Sequence, residues 1–201
     1  MLIGANSGAL ELREASGGGA RLRGRFPYGM RAVLSDGGRT GRPRKEVIAP
    51  GAFAYRIDRP DEDIHFLVGH SYDRPLASRS AGSLEVHSDE EAVTFDAEIS
   101  HEMAEVSFVR DFLGALAAGL IMGVSPGFRI PPKRTVPNAE SVAEEDPSEG
   151  TAIIRTVHDA LLYELSAVTR PAYPEAQIEA RHWETSSHQQ THVKHLKRWR
   201  A

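Results

Sequence analysis

Apolar positions along this chain recur mostly with period two. Residues 91–100 alternate most cleanly: Val93, Phe95, Ala97 and Ile99 share one face, and Thr94, Asp96 and Glu98 share the other. With residues 82–88 before it and Asp89-Glu90 between, this segment predicts a β-hairpin. The apolar run Ile64-His65-Phe66-Leu67-Val68 predicts a short buried strand, and residues 152–157 and 160–168 predict two more. Residues 10–30 carry scattered apolar positions broken by Gly17-Gly18-Gly19, the pattern of a hairpin or loop, and Asp36-Gly37-Gly38 marks a second turn. Residues 120–130 are strand-like but interrupted by Gly123, Pro126 and Gly127.

The spacing changes to three and four only between residues 102 and 118, where Met103, Val106, Val109, Phe112, Leu113 and Leu116 predict one amphipathic helix. Ser100 suits its N-cap, Glu102 and Glu105 suit the positive end of its dipole, and Gly119 suits its stop. Residues 131–150 are acidic and contain Pro131, Pro132, Pro137 and Pro147, which predicts a mobile loop. Residues 182–201 are polar and basic with a faint amphipathic pattern in Val193, Leu196 and Trp199, the signature of a tail or short terminal helix. No internal repeat is present. The expected fold is therefore mostly β with helices (α+β), a closed, barrel-like sheet packed by one to several helices. One domain is expected over residues 1–181, followed by the tail at 182–201.

Composition narrows the function. The chain has 201 residues, 40% of them hydrophobic and 26% charged, the balance of a globular domain with a real core. No apolar run is long enough for a membrane helix, and the N-terminus lacks the basic and apolar regions of a signal peptide. The absence of cysteine excludes disulfides, iron–sulfur ligation and a thiol nucleophile. The net charge of −4 argues against a whole-surface nucleic-acid binder. Charge is nonetheless uneven. Residues 13–45 are rich in arginine, residues 140–149 hold Glu140, Glu144, Glu145, Asp146 and Glu149, and the tail is basic. Solvated faces account for most such runs; contact with an oppositely charged partner in an assembly is the sharper reading.

The nucleophile candidates are therefore serine or threonine, with histidine as the base. His70 follows Gly69 at the end of a predicted strand, where a side chain can leave the core for a cleft. Ser125 sits in Gly123-Val124-Ser125-Pro126-Gly127, a backbone built for close approach. A Ser–His pair is the minimum for nucleophilic acyl transfer. Other constellations carry less. His188 and His192 stand four apart without the glutamate of a zinc-protease motif. His65 and His70 are five apart with no carboxylate pattern around them, so no metal site is expected. Asp96 and Glu98 fit the polar side of a strand better than a paired-carboxylate site.

Four blocks in order resemble the phage prohead maturation proteases of the HK97 type, a serine peptidase family related in fold to herpesvirus assemblin. The first is Glu46-Val47-Ile48-Ala49-Pro50-Gly51-Ala52-Phe53, similar to E-x-I-x-P-G-A-F. The second is Phe66-Leu67-Val68-Gly69-His70 with Pro75-Leu76 and Ser80-Ala81-Gly82-Ser83-Leu84, similar to F-N-H-D…P-L-G…S-G-T-L. The third is Gly123-Val124-Ser125-Pro126-Gly127-Phe128, similar to G-M-S-F-G-F, and the fourth is Leu162-Tyr163-Glu164-Leu165-Ser166-Ala167-Val168-Thr169-Arg170-Pro171-Ala172-Tyr173-Pro174, similar to L-x-E-V-S-x-V-T-x-P-A-Y-P. The resemblance runs from about residue 22 to residue 181. It implies an assemblin-like fold, His70 as general base and Ser125 as nucleophile, with no cofactor.

The same resemblance implies an endopeptidase that cleaves scaffold, the major capsid protein precursor and itself, inside the assembling procapsid in the host bacterial cytoplasm. Related enzymes often act as dimers, so a homo-oligomer is one implied arrangement; neither nucleic acid nor a membrane is required. The chain departs from the pattern at Gly69, at Ser71 and at Pro126, which has no N–H to offer an oxyanion. Gly127 or the Thr169-Arg170 segment is the alternative donor. The third catalytic member is open among Glu164, His158 and Asp96. Glu164 lies in the best-matched block, on the strand face opposite Tyr163 and Leu165. A non-catalytic assembly or scaffolding protein that keeps the fold is the alternative function.

Overall fold

The period-two segments become strands. A computed structural model of the chain describes residues 2–3, 10–14, 19–121 and 123–169. In chain order its elements are β1 (Leu2–Ile3), β2 (Leu10–Glu14), β3 (Ala20–Pro27), β4 (Arg31–Ser35), β5 (Arg44–Ile48), α1 (Ala54–Ile57), β6 (His65–Val68), β7 (Ser71–Ser78), β8 (Leu84–Ser88), β9 (Ala92–Ile99), α2 (His101–Ala104), α3 (Ser107–Ala117), β10 (Gly123–Arg129), β11 (Glu140–Glu144), β12 (Ile153–Val157) and β13 (Leu161–Val168). The tail at 182–201, with His188 and His192, and Arg170 lie outside the described residues.

The expectation of mostly β structure with a few helices holds, but the closed, barrel-like sheet is not what forms among the described residues. The strands make three open sheets, ordered β1-β10-β13-β6-β7, β2-β3-β9-β8 and β11-β12-β5-β4. Alternation tells which face of a strand is buried, not which strand lies beside it, and closure needs an unbroken hydrogen-bonded ring. The sheets instead meet through apolar faces. Phe66 of β6 lies 4.9 Å from Phe95 of β9 between ring centroids, and Phe53 lies 5.5 Å from Phe128 of β10. These rings, with Phe26, Leu22, Ile64, Leu162 and Leu165, are fully or almost fully buried and form one core.

The β8–β9 hairpin follows its pattern, with Val93, Phe95, Ala97 and Ile99 all buried. Asp89 closes its turn by accepting the N–H groups of Glu91 and Ala92 at 2.7 and 2.8 Å. Opposite Phe95 stands Gly24 of β3, where a Cβ would come within 2.1 Å of the phenyl ring edge. Glycine there lets the ring lie across the neighbouring strand.

Two sequence expectations need correction. The single helix over residues 102–118 is two helices, α2 and α3, broken at Val106, whose backbone is extended (φ −68°, ψ 133°). Ser100 does cap α2, accepting the Met103 N–H at 3.3 Å. Apolar spacing survives the two-residue interruption at Glu105 and Val106, so periodicity does not register the break. The acidic segment 131–150, expected to be a mobile loop throughout, contains β11, which pairs antiparallel with β12 from Glu140↔Val157 to Glu144↔Ile153. Its far end is pinned by Glu145, whose carboxylate, 2% exposed, accepts from Lys45 Nζ and from the Ala152 N–H at 3.0 Å. The acids that read as solvating are thus partly consumed by basic residues of β4, β5 and the connection between them: Arg31 reaches Glu149 at 2.8 Å and Arg42 reaches Glu144 at 2.9 Å.

Two outcomes test this packing. Gly24→Ala forces the Phe95 ring to move and should cost about 1–3 kcal/mol, read as a lowered melting temperature. The Lys45 and Ala152 hydrogen bonds hold the Glu145 carboxyl below its ordinary 4.5. Its contribution is therefore complete above pH 4.5 and disappears as pH falls through the lower folded value. Glu145→Gln should lower the melting temperature at neutral pH, and the gap to wild type should close as pH is taken below about 4.5.

Candidate active site

The turn between β6 and β7 is built to present His70. Val68 and Ser71 are register partners, and the two residues between them both have positive φ, Gly69 at 61° and His70 at 62°. This is the pattern of a two-residue type I′ hairpin turn, whose twist matches that of the flanking strands. Glycine adopts it freely, whereas for histidine the left-handed region costs about 1–2 kcal/mol. His70 is the one non-glycine residue with positive φ among the described residues. Backbone bonds on both turn residues hold the conformation: the Gly69 N–H donates to Ala167 O at 3.0 Å, and the His70 N–H donates to Ser166 Oγ at 3.0 Å.

Both anchors belong to β13, the middle strand of the five-stranded sheet, which pairs parallel with β6 and antiparallel with β10. Leu165 and Ala167 of β13 are buried in the core, so Glu164 and Ser166 share the opposite face. Both are fully buried. Glu164 Oε1 lies 2.7 Å from His70 Nδ1, and its Oε2 accepts the Ser166 hydroxyl at 2.6 Å. An ionised carboxylate only accepts hydrogen bonds, so these two donors use one oxygen each. With Nδ1 as the donor in this contact, the lone pair is on Nε2, the tautomer a general base needs.

Ser125 stands one strand away. In the β10–β13 register it is the partner of Ser166, and its neighbours Val124 and Pro126 face Ala167 and Leu165. Directly opposed residues of an antiparallel pair project to the same side, so Ser125, Ser166 and Glu164 share one face. Ser125 is itself fully buried. Gly127, the partner of Glu164, follows Pro126, and a register shift between Gly127 and Phe128 returns Phe128 to the core.

The other candidates are engaged elsewhere. Asp96 lies on β9 in a different sheet, where Arg21 and Arg23 each donate to it at 3.0 Å. His158, just past β12, contacts Ser141 Oγ through Nε2 at 2.9 Å. His65 stacks edge-on against Tyr72 with centroids 5.5 Å apart and approaches Asp63 at 3.4 Å. Tyr72, two residues beyond His70, feels the same carboxylate. Burial and then the Glu164 charge push its phenol above the ordinary value, against Arg129 and Arg56. Ser166 enters the sequence reading only as part of a matched block. The available signal was its spacing, two residues from Glu164 on a strand and therefore on the same face.

The beginning of β6 is fixed from outside the sheet. Asp63 accepts from the Ser80 N–H and hydroxyl at 3.0 and 2.7 Å, and Arg79 gathers the carbonyls of Arg56, Ile57, Arg59 and Glu62 at 2.9–3.2 Å. The segment that leads into His65–Val68 is thus tied to the β7–β8 connection.

The chain matches the family model of the caudovirus prohead serine protease over residues 35–192, a span that includes His70, Ser125 and Glu164. Neither a curated protein nor a solved structure matches it. With more than half of its length matched, the chain belongs to the caudovirus prohead serine protease family, the serine peptidases of phage capsid maturation.

Proposed function

We propose that this chain is the endopeptidase of its procapsid, cleaving scaffold or the capsid protein precursor and then itself, with Ser125 as nucleophile, His70 as general base and Glu164 as the residue that orients the base. The observation that carries this reading is the 2.7 Å contact between His70 Nδ1 and Glu164 Oε1, made on the sheet face that also bears Ser125. His70 Nε2 takes the Ser125 hydroxyl proton as Oγ attacks the scissile carbonyl carbon. The tetrahedral oxyanion collapses, the C–N bond breaks, and the leaving amine takes the proton from Nε2. Water then repeats the sequence on the acyl-serine and releases the acid. Glu164 stabilises the imidazolium formed in each half. Since Ser125 is buried, substrate entry requires that the face be uncovered.

The second reading, an assembly protein of the same fold with weakened chemistry, draws on two features: the missing N–H of Pro126 and the burial of Ser125. A serine-directed fluorophosphonate separates the two readings. Adduct formation at Ser125, lost in Ser125→Ala, supports the enzyme; folded protein that takes no label supports the assembly role.

Co-expressed with its capsid precursor, the Ser125→Ala and His70→Ala variants should each lose cleavage while remaining folded. The double variant should be no worse than either, because the two act as a unit. Wild-type cleavage by either single variant would sink the assignment. Glu164→Gln nearly preserves shape but cannot balance the imidazolium charge and can hold the wrong tautomer. The analogous change in a Ser–His–Asp triad costs about 10⁴-fold. Here kcat should fall on the order of 10²–10³-fold, with the melting temperature close to that of wild type. A lowered melting temperature with unchanged turnover would make Glu164 structural.

A further inference from the structure

We propose that Ser166 is a positioning residue of this site: its single hydroxyl fixes both the base and the acid. The inference rests on the His70–Glu164 reading above and concerns a group that reading leaves unused. Ser166 Oγ accepts the His70 backbone N–H at 3.0 Å and donates to Glu164 Oε2 at 2.6 Å. Accepting from a backbone N–H occupies an oxygen lone pair, so the hydroxyl proton is directed at the carboxylate. The result is a closed ring: His70 backbone to Ser166 hydroxyl, hydroxyl to Glu164 Oε2, and Glu164 Oε1 back to the His70 ring at 2.7 Å.

Each link does something distinct. The bond from His70 N–H anchors a residue whose backbone is unfavourable for a side chain other than glycine, at φ 62°. The short O–H···O⁻ bond is of the charge-assisted class and holds the carboxylate against rotation about its own axis. Without it, Glu164 can turn Oε1 away from Nδ1, and the imidazole is no longer kept in one tautomer and one orientation. Ser166 is fully buried, so water cannot easily replace the lost hydroxyl.

The position also settles which of two facing serines plays which part. Ser125 and Ser166 are register partners on adjacent strands, both buried and both on the site face. The Ser166 proton is given to a carboxylate, which stabilises the acid rather than activating the serine. Ser166 is the clamp, and the fluorophosphonate adduct should map to Ser125 alone.

The test compares Ser166→Ala, Ser166→Thr and Glu164→Gln in the full chain, using a capsid-precursor peptide and scoring only folded protein. Ser166→Ala should lower kcat about 10–100-fold with KM nearly unchanged, since orientation of the acid matters most when the imidazolium forms. Ser166→Thr, which keeps the hydroxyl, should recover most of the loss. In proton NMR spectra the far-downfield Nδ1 proton of His70 should be sharp in wild type and Ser166→Thr, and broadened or lost in Ser166→Ala. Adding Ser166→Ala to Glu164→Gln should cost little more, because the clamp acts through the acid.

If Ser166→Ala does not fold, Ser166→Cys carries the comparison, with a weaker donor and a smaller fall in kcat. Wild-type kcat and an intact Nδ1 resonance in the folded Ala or Cys variant, or an adduct mapped to Ser166, would overturn the proposal. Wild-type turnover by Glu164→Gln would overturn the His70–Glu164 reading instead. A defect in Glu164→Gln without one in Ser166→Ala would sink the clamp alone.

Discussion

The site depends on one strand having two different neighbours. β13 pairs parallel with β6, which brings the β6–β7 turn over its end, and antiparallel with β10, which sets Ser125 opposite Ser166. A parallel pair needs a long crossover, so His70 and Glu164 meet although they stand 94 apart in sequence. Moving β13 by one residue would exchange its faces, sending Glu164 and Ser166 into the core and Leu165 and Ala167 out. The penalty of burying a carboxylate among phenyl rings, set against the loss of buried Leu165, makes that slip costly. The hydrophobic core therefore fixes the chemistry: Phe66, Leu165 and Phe128 enforce the register that places the polar face.

That polar face is an unusual interior. Glu164, Ser166 and Ser125 are all buried, and a buried carboxylate is tolerated only when its oxygens are satisfied. His70 and Ser166 satisfy one oxygen each. The same bonds that make the carboxylate tolerable restrain the imidazole, so stability and preorganisation share their contacts. The strained turn fits this picture, since positive φ at a non-glycine residue persists where surrounding bonds over-determine it.

What could be read from the sequence follows what each signal measures. Alternation reports burial of one face, so β9 and its hairpin with β8 were legible from Val93, Phe95, Ala97 and Ile99. β7 was not: it is an edge strand that contains Asp73, Arg74 and Pro75 and is interrupted by two register shifts against β6. β5 and β11 were hidden because their charged residues pair across the sheet, Glu46 with Arg155 and Glu140 with Arg155. The blocks that resemble the prohead proteases singled out His70, Ser125 and Glu164. They left Asp96 and His158 open because the identity of a hydrogen-bond partner is a tertiary fact. The positive φ at residues 69 and 70 has no periodic signature, although Gly-His between an apolar run and a polar strand is a turn signal in retrospect.

Two of the three departures beside the proposed catalytic residues, Gly69 and Pro126, have unlike physical weight. Gly69 stands where the resembled pattern has asparagine, and its φ of 61° is one that both residues accept, so the turn is unaffected. Pro126 removes a hydrogen-bond donor beside Ser125, the proposed nucleophile. The strand accommodates it because β1 pairs with β10 only at Gly127 and Phe128, leaving the outer edge at residue 126 without a described partner strand. Losing one oxyanion donor costs on the order of 10²–10³ in kcat. Losing the nucleophile or the base costs about 10⁶. A chain that retained His70, Ser125 and Glu164 in register but forfeited one donor would thus remain an enzyme by several orders of magnitude. Pro126 by itself argues for a slow protease, not for an inert one, and a maturation enzyme confined with its substrates at high local concentration can be slow.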